Sequence, residues 1–142
     1  KKDPSYAESV LEKVEAAELT DRIQFVGEQN ATNIHHLYHF SSMFVLASHF
    51  EGYGMALTEA LAYGLPVVST TGGAIPFTVP KEASILVEPG DAGSLADAMR
   101  SLLEDPDLCG SLTKGARRHA AGLPNWNQTV CGFAAAVDQL TA

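Results

Sequence analysis

The sequence predicts an α/β domain whose strands run mainly parallel and are flanked by helices. Three observations carry this. Short apolar runs alternate with segments of helical periodicity. The run Met43-Phe44-Val45-Leu46-Ala47 contains no polar residue, as expected of a strand covered on both faces. Glycine-rich stretches follow two of the apolar runs, at the strand ends where parallel sheets turn loops toward ligands.

The elements follow in order. Asp3 is an N-cap with Pro4 at the first helical position, and Ala7, Val10, Leu11 and Val14 continue at helical spacing. Residues 22–27 read as a short strand closed by Gly27. Residues 33–40 read as a helix with Ile34, Leu37 and Tyr38 on its inner stripe. After the apolar run at Met43, a helix spans residues 55–63 and is stopped by Gly64 and Pro66. Strands follow at residues 66–70 and 84–87. Asp91 or Ser94 then caps a helix carrying Leu95, Ala98, Met99, Leu102 and Leu103, which Pro106 ends. A polar helix runs to about Ala121, and a last one sets Val130, Phe133 and Val137 on one stripe.

The bulk properties limit what this architecture serves. At 142 residues, 46% hydrophobic and 18% charged, the chain suits one globular domain. A net charge of −8 argues against a nucleic-acid partner. No apolar run is long enough to span a bilayer, and Lys1-Lys2-Asp3-Pro4 does not resemble a signal peptide. Cys109 and Cys131 have no CxxC spacing, so neither a zinc site nor a disulfide framework is indicated. The expected setting is reducing and cytoplasmic.

Chemistry concentrates in Glu51-Gly52-Tyr53-Gly54-Met55-Ala56-Leu57-Thr58-Glu59. The spacing sets Glu51 on the loop and Glu59 about one turn into the helix. Between them, the N–H groups of Met55, Ala56 and Leu57 are expected among the unpaired donors of the helix start, where the helix dipole favours a phosphate. Glu59 can accept paired hydrogen bonds from a diol such as ribose, and Glu51 from hydroxyls of a sugar on the other side of the phosphate. A second glycine-rich loop, with Gly72 and Gly73, leaves the same sheet edge, so the two loops are expected to form one site. His49 is a candidate for lining that pocket or for a structural role. Against this stands the plain alternative that Glu51 and Glu59 are solvated surface charges.

Two other clusters compete. His35 and His39 share a helix face with His36 beside them, but no third ligand lies nearby in sequence, and no metal is expected. Lys114, Arg117, Arg118 and His119 form a solvated basic face or a contact for another domain or an anionic membrane surface.

The ordered set Phe44-Val45-Leu46-Ala47-Ser48, Glu51-Gly52-Tyr53-Gly54, Glu59-Ala60-Leu61-Ala62, Gly64-Leu65-Pro66-Val67-Val68 and Gly72-Gly73 resembles the retaining GT-B-fold glycosyltransferases of family 4. Leu86-Val87-Glu88-Pro89-Gly90-Asp91 and Leu95-Ala96-Asp97-Ala98 fit the same family's C-terminal half. The resemblance implies a Rossmann-like domain that binds a nucleoside-diphosphate sugar as donor, with no further cofactor. It implies that Glu51 is the catalytic-site carboxylate on the donor sugar, with Gly52, Tyr53 and Gly54 around it. It also implies diphosphate contacts from the amides after Gly54, and ribose contacts from Glu59. The alternative is a non-catalytic nucleotide- or sugar-binding module.

The sequence departs from that family twice. Phe77 stands after Pro76 where an acidic residue is usual. The family's first two C-terminal-half strands, with an Arg and a Lys for the diphosphate, have no counterpart before Lys1. Nor does the acceptor-binding N-terminal half, the expected partner of this chain. In the strand order 3-2-1-4-5-6, that leaves a central gap between the strand of Phe25 and that of Val45. The segment is then expected either to be an excerpt of a longer chain or to pair its strands abnormally, as through a partner chain. Trp126 and the stripe after it either complete this domain's core or cross to the N-terminal half.

Overall fold

Among the strands, β2 (Val67–Thr70) is buried along its whole length. It pairs in parallel with β1 (Phe44–Leu46) on one side and β3 (Ser84–Val87) on the other, with Val68 opposite both Val45 and Ile85. The sheet order is therefore β1-β2-β3. The computed structural model describes residues 4–124 and 126–141, which fall into two units, 1–34 and 35–142, and the sheet belongs to the second.

Side chains alternate across a strand, so β2 feeds two cores. Val67 packs with Leu57, Ala60 and Leu61 of α3 (Met55–Ala62), Ile75 of α4 (Ile75–Thr78) and Ala116 of α6 (Pro106–Gly122). Val68 points the other way, onto Ala98 and Leu102 of α5 (Ala92–Glu104) and Leu112 of α6. Each such Leu or Val stabilises the fold by about 1.5–3 kcal/mol on burial. β1, expected to be covered on both faces, is covered only partly, with Phe44 and Leu46 against the first core and Val45, with Met43 just before it, against the second. β2 is the strand that is fully covered.

Local sequence sets the helix ends. Gly64 takes a left-handed φ of 77° just after α3, where a side chain would cost strain. Of the two candidate caps for α5, Asp91 is the one used: its Oδ1 accepts from the Ser94 amide at 2.9 Å. Those Ser94 bonds, with the side-chain hydroxyl first, hold the Asp91 carboxyl below the usual carboxylate range. Asp105 caps α6 in the same way, with Pro106 at its first position. A Cβ on Gly115 of α6 would lie 1.7 Å from the Glu82 carbonyl oxygen, so only glycine lets α6 approach the 3-10 turn Lys81–Ala83.

Two expectations fail. Residues 22–27 form turn and irregular backbone, with Phe25 half exposed. A strand requires a ladder for its N–H and C=O groups, and among the described residues none runs beside this segment. The expected central gap disappears with it, because the three strands that form are contiguous. The last helix, α7 (Trp126–Thr141), does not complete the core: Trp126 is 80% and Phe133 73% exposed. Both faces of the sheet are already covered by α3, α5 and α6.

In the first unit, α1 (Pro4–Ala16) occupies the expected segment, while the Asp3 cap lies outside the described residues. The next helix, α2 (Ala31–Phe40), begins in the first unit and continues into the second from His35 on. It starts two residues earlier than expected, where the Asn30 side chain accepts from the Asn33 amide at 2.9 Å. Among the described residues, no helix is long and apolar enough to cross a membrane.

Candidate functional site

Three loops leave the carboxyl edge of the sheet, and the first two are fastened to each other. Ser69 and Thr70, at the end of β2, donate through their hydroxyls to the carbonyls of Leu46 and Ser48 at 2.7 and 2.5 Å. Beyond the strands, Glu51 and Gly73 form an isolated parallel bridge, and the Ala74 amide donates to the Glu51 carbonyl at 2.8 Å. Thr78 of α4 donates to the Tyr53 carbonyl at 2.7 Å. Glycine is what permits this closeness. A Cβ on Gly72 would meet the His49 carbonyl oxygen at 2.4 Å, and one on Gly73 would meet the Glu51 carbonyl oxygen at 2.3 Å. Gly73 also has φ +64°, in the left-handed region.

Within this double loop, Glu51 is half-buried and accepts from the Ser48 hydroxyl on Oε1 at 2.7 Å. Gly52 and Tyr53 are exposed beside it. Gly54 turns the chain into α3 with φ +79°, as the N-cap of a helix that has no side-chain cap. The amides of Met55 and Ala56 have no acceptor among the described residues, as expected of a helix start. The Leu57 amide differs from expectation: it donates to the Gly54 carbonyl at 2.9 Å, because the first turn of α3 is tightened.

Glu59 lies on α3 and is exposed. Its Oε2 sits 3.3 Å from the Tyr38 hydroxyl, which is equally 3.3 Å from the Ala56 carbonyl oxygen. Burial first, and the Glu59 charge second, push the Tyr38 phenol up to about 12. Tyr38 stacks on Tyr63, with centroids 5.1 Å apart and an interplanar angle of 18°. The Tyr63 hydroxyl in turn meets Nδ1 of His35. No three His, Cys, Asp or Glu side chains are grouped as metal ligands among the described residues.

His49 lines a cleft of about 210 Å³ with Thr70, Glu88, Gly90 and Asp91, and neither Glu51 nor Glu59 borders it. Phe77, on α4 beyond Gly73, is 91% exposed. The structure thus brings Glu51, Gly72 and Gly73 together and carries Gly54 and Glu59 on the turn and helix that follow. Sequence reading missed the anchors of the two carboxylates. Ser48 was visible within the loop, but Tyr38 is twenty-one residues from Glu59 and had only its inner-stripe position to mark it.

The arrangement matches known proteins over most of its length. The family model described as Glycosyl transferases group 1 matches residues 3–119. The D-inositol 3-phosphate glycosyltransferase of Salinispora arenicola is 31% identical over 125 residues, which are 87% of this chain and 28% of that protein. Among solved structures, a sucrose-phosphate synthase from Thermosynechococcus elongatus superposes with a TM-score of 0.86 at 31% identity, over 99% of this chain and 36% of that one. The C-terminal domain of LpcC, a glycosyl transferase group 1 family protein of Francisella tularensis, superposes with a TM-score of 0.74 at 30% identity, over 82% of this chain and 60% of that one. The chain spans about a third or less of the length of the first two relatives. It belongs to the group 1 glycosyl transferases, and its second unit has the Rossmann-like architecture of the C-terminal half of the GT-B fold.

Proposed function

We propose that this chain is the donor-binding half of a retaining glycosyltransferase, which moves a sugar from a nucleoside diphosphate to an acceptor hydroxyl. The observation that carries the reading is the fastened double loop. It fixes Glu51 at the sheet edge, two unpaired amides follow at the start of α3, and Glu59 stands one turn further on. In this reading Glu51 accepts from the donor sugar's hydroxyls, with Gly52, Tyr53 and Gly54 around it. The amides of Met55 and Ala56, with the positive end of α3, face the diphosphate. Glu59 reads the ribose diol. Rate enhancement comes mainly from stabilising the departing diphosphate. That work is shared with the Arg and Lys that the family carries on the first two strands of its C-terminal half, while the companion N-terminal half holds the acceptor.

Further strands of the same domain pair along the outer side of β1, which carries no ladder among the described residues. In this reading the enzyme works in the cytoplasm, at the inner membrane face when the acceptor is lipid-borne.

Calorimetric titration of the full-length protein with UDP, GDP and their sugars tests this. One nucleotide binds, and Glu59→Ala weakens it roughly 10- to 100-fold, the worth of hydrogen bonds to a charged group. Turnover of the matching nucleotide sugar distinguishes a transferase from a binding module. Failure of every nucleotide to bind would sink the reading.

A further inference from the structure

We infer that Tyr38 is a positioning residue, holding the Glu59 carboxylate in the orientation that distinguishes a ribonucleotide from a deoxyribonucleotide. This rests on the reading of Glu59 as the ribose-binding group. An exposed glutamate has no fixed orientation of its own. Its side chain rotates about several bonds, and fixing it on a ligand costs up to about 1.5–2 kcal/mol of rotamer entropy. A group that restrains Glu59 before the ligand arrives reduces that cost at the moment of binding.

Tyr38 is the group in place. Its hydroxyl is within 3.3 Å of Oε2, leaving Oε1 and the other lone pair of Oε2 for two ligand hydroxyls. A phenol has one proton, and at 3.3 Å from both Glu59 and the Ala56 carbonyl it is shared between them. Both distances exceed the usual 2.7–2.8 Å of an O–H···O bond. The restraint is therefore moderate, and the carboxylate can still adjust to the diol.

Tyr38 itself is well fixed. It belongs to α2, its ring tilts against Phe44 of β1 at 5.8 Å, and it stacks on Tyr63, whose hydroxyl meets His35. Glu59 is thus oriented by a phenol on a helix other than its own, held in an aromatic layer with Phe44 of β1 and Tyr63 at the end of α3. The raised Tyr38 phenol keeps its proton across the working pH range, so it remains a donor.

The test uses the full-length protein and whichever of UDP, GDP or ADP binds it, beside the 2′-deoxy counterpart. Affinities for both are measured for wild type, Tyr38→Phe, Glu59→Gln and the double variant. Wild type favours the ribonucleotide, and Glu59→Gln abolishes the preference. Tyr38→Phe keeps the ring and its stack, and lowers ribonucleotide affinity about three- to tenfold while leaving the deoxynucleotide unchanged. If Tyr38 acts through Glu59, the double variant is no worse than Glu59→Gln alone. Equal losses for both nucleotides in Tyr38→Phe, or multiplying losses in the double variant, overturn the proposal and leave Tyr38 a packing residue. Should Glu59→Gln itself keep the wild-type preference, the ribose reading falls and the role of Tyr38 falls with it.

Discussion

Glu51 and Glu59 lie eight positions apart on one loop-helix unit, yet they are held by different means. Glu51 is held by its own neighbourhood. The Ser48 hydroxyl is three residues away, and the backbone is clamped to the second glycine loop by the bridge to Gly73. Glu59 is held at long range in sequence, by a phenol on α2 twenty-one residues before it. A local anchor fixes backbone and side chain together, whereas a distant one adjusts only the side chain of a helix that is already rigid. Substitutions should therefore disturb the Glu51 side through loop geometry and the Glu59 side through side-chain orientation.

The largest expected effect comes from breaking the clamp. In Gly73→Ala, the new methyl lands 2.3 Å from the Glu51 carbonyl oxygen at a φ of +64°, and the obstacle is backbone rather than a flexible side chain. The cost is about 1–3 kcal/mol for overpacking, plus left-handed strain of order 1 kcal/mol. A thermal melt of the full-length variant records the loss. In titrations, affinity for the nucleotide sugar falls at least tenfold more than affinity for the bare nucleotide, because the displaced loop carries Glu51 and not Glu59. Equal losses for the two ligands would show that the two sides are not separable.

A smaller change isolates the side-chain anchor. Ser48→Ala removes the hydroxyl that donates to Glu51 Oε1 at 2.7 Å and leaves the clamp in place. A hydrogen bond at a half-exposed site is worth about 0.5–1.5 kcal/mol. Turnover should therefore drop roughly two- to tenfold, with the melting temperature little changed and ribose discrimination intact. Loss of ribose discrimination in Ser48→Ala would tie the two carboxylates into one network.

The same contrast explains what was legible in the sequence. The helix start after Gly54, the buried strand Val67–Thr70 and the cap at Asp91 are written in local signals: glycine, an apolar run and an Asp three residues before Ser94. The joining of the two glycine loops was foreseeable because parallel strands deliver their loops to one edge. Residues 22–27 carried the alternation of a strand, but strand formation depends on a partner that alternation cannot supply. The exposed stripe of α7 failed for a related reason. Periodicity shows that Val130, Phe133 and Val137 share a face, and only the packing of other helices decides whether that face is covered. Tyr38 and Glu59 meet through tertiary structure alone. The unpaired Leu57 amide was lost to a detail of turn geometry at a left-handed Gly54.

The smallest effect, and the one that separates the two anchors by chemistry, is the response to alkali. A serine hydroxyl does not titrate in water, whereas the Tyr38 phenol does, at about 12 in the fold against 10.0 for a free tyrosine. The folded state binds that proton more tightly than the unfolded chain. The contribution is therefore fully present below pH 10 and is lost as pH rises toward 12. Tyr38→Phe should flatten the decline of stability in this window, and Ser48→Ala should not. Denaturant melts at intervals of pH from neutrality upward measure both slopes. If the slope of Tyr38→Phe matches wild type, the Tyr38 phenol is as free as one in water. Burial and the Glu59 charge would then not hold it, and the long-range anchor of Glu59 would be no more than proximity.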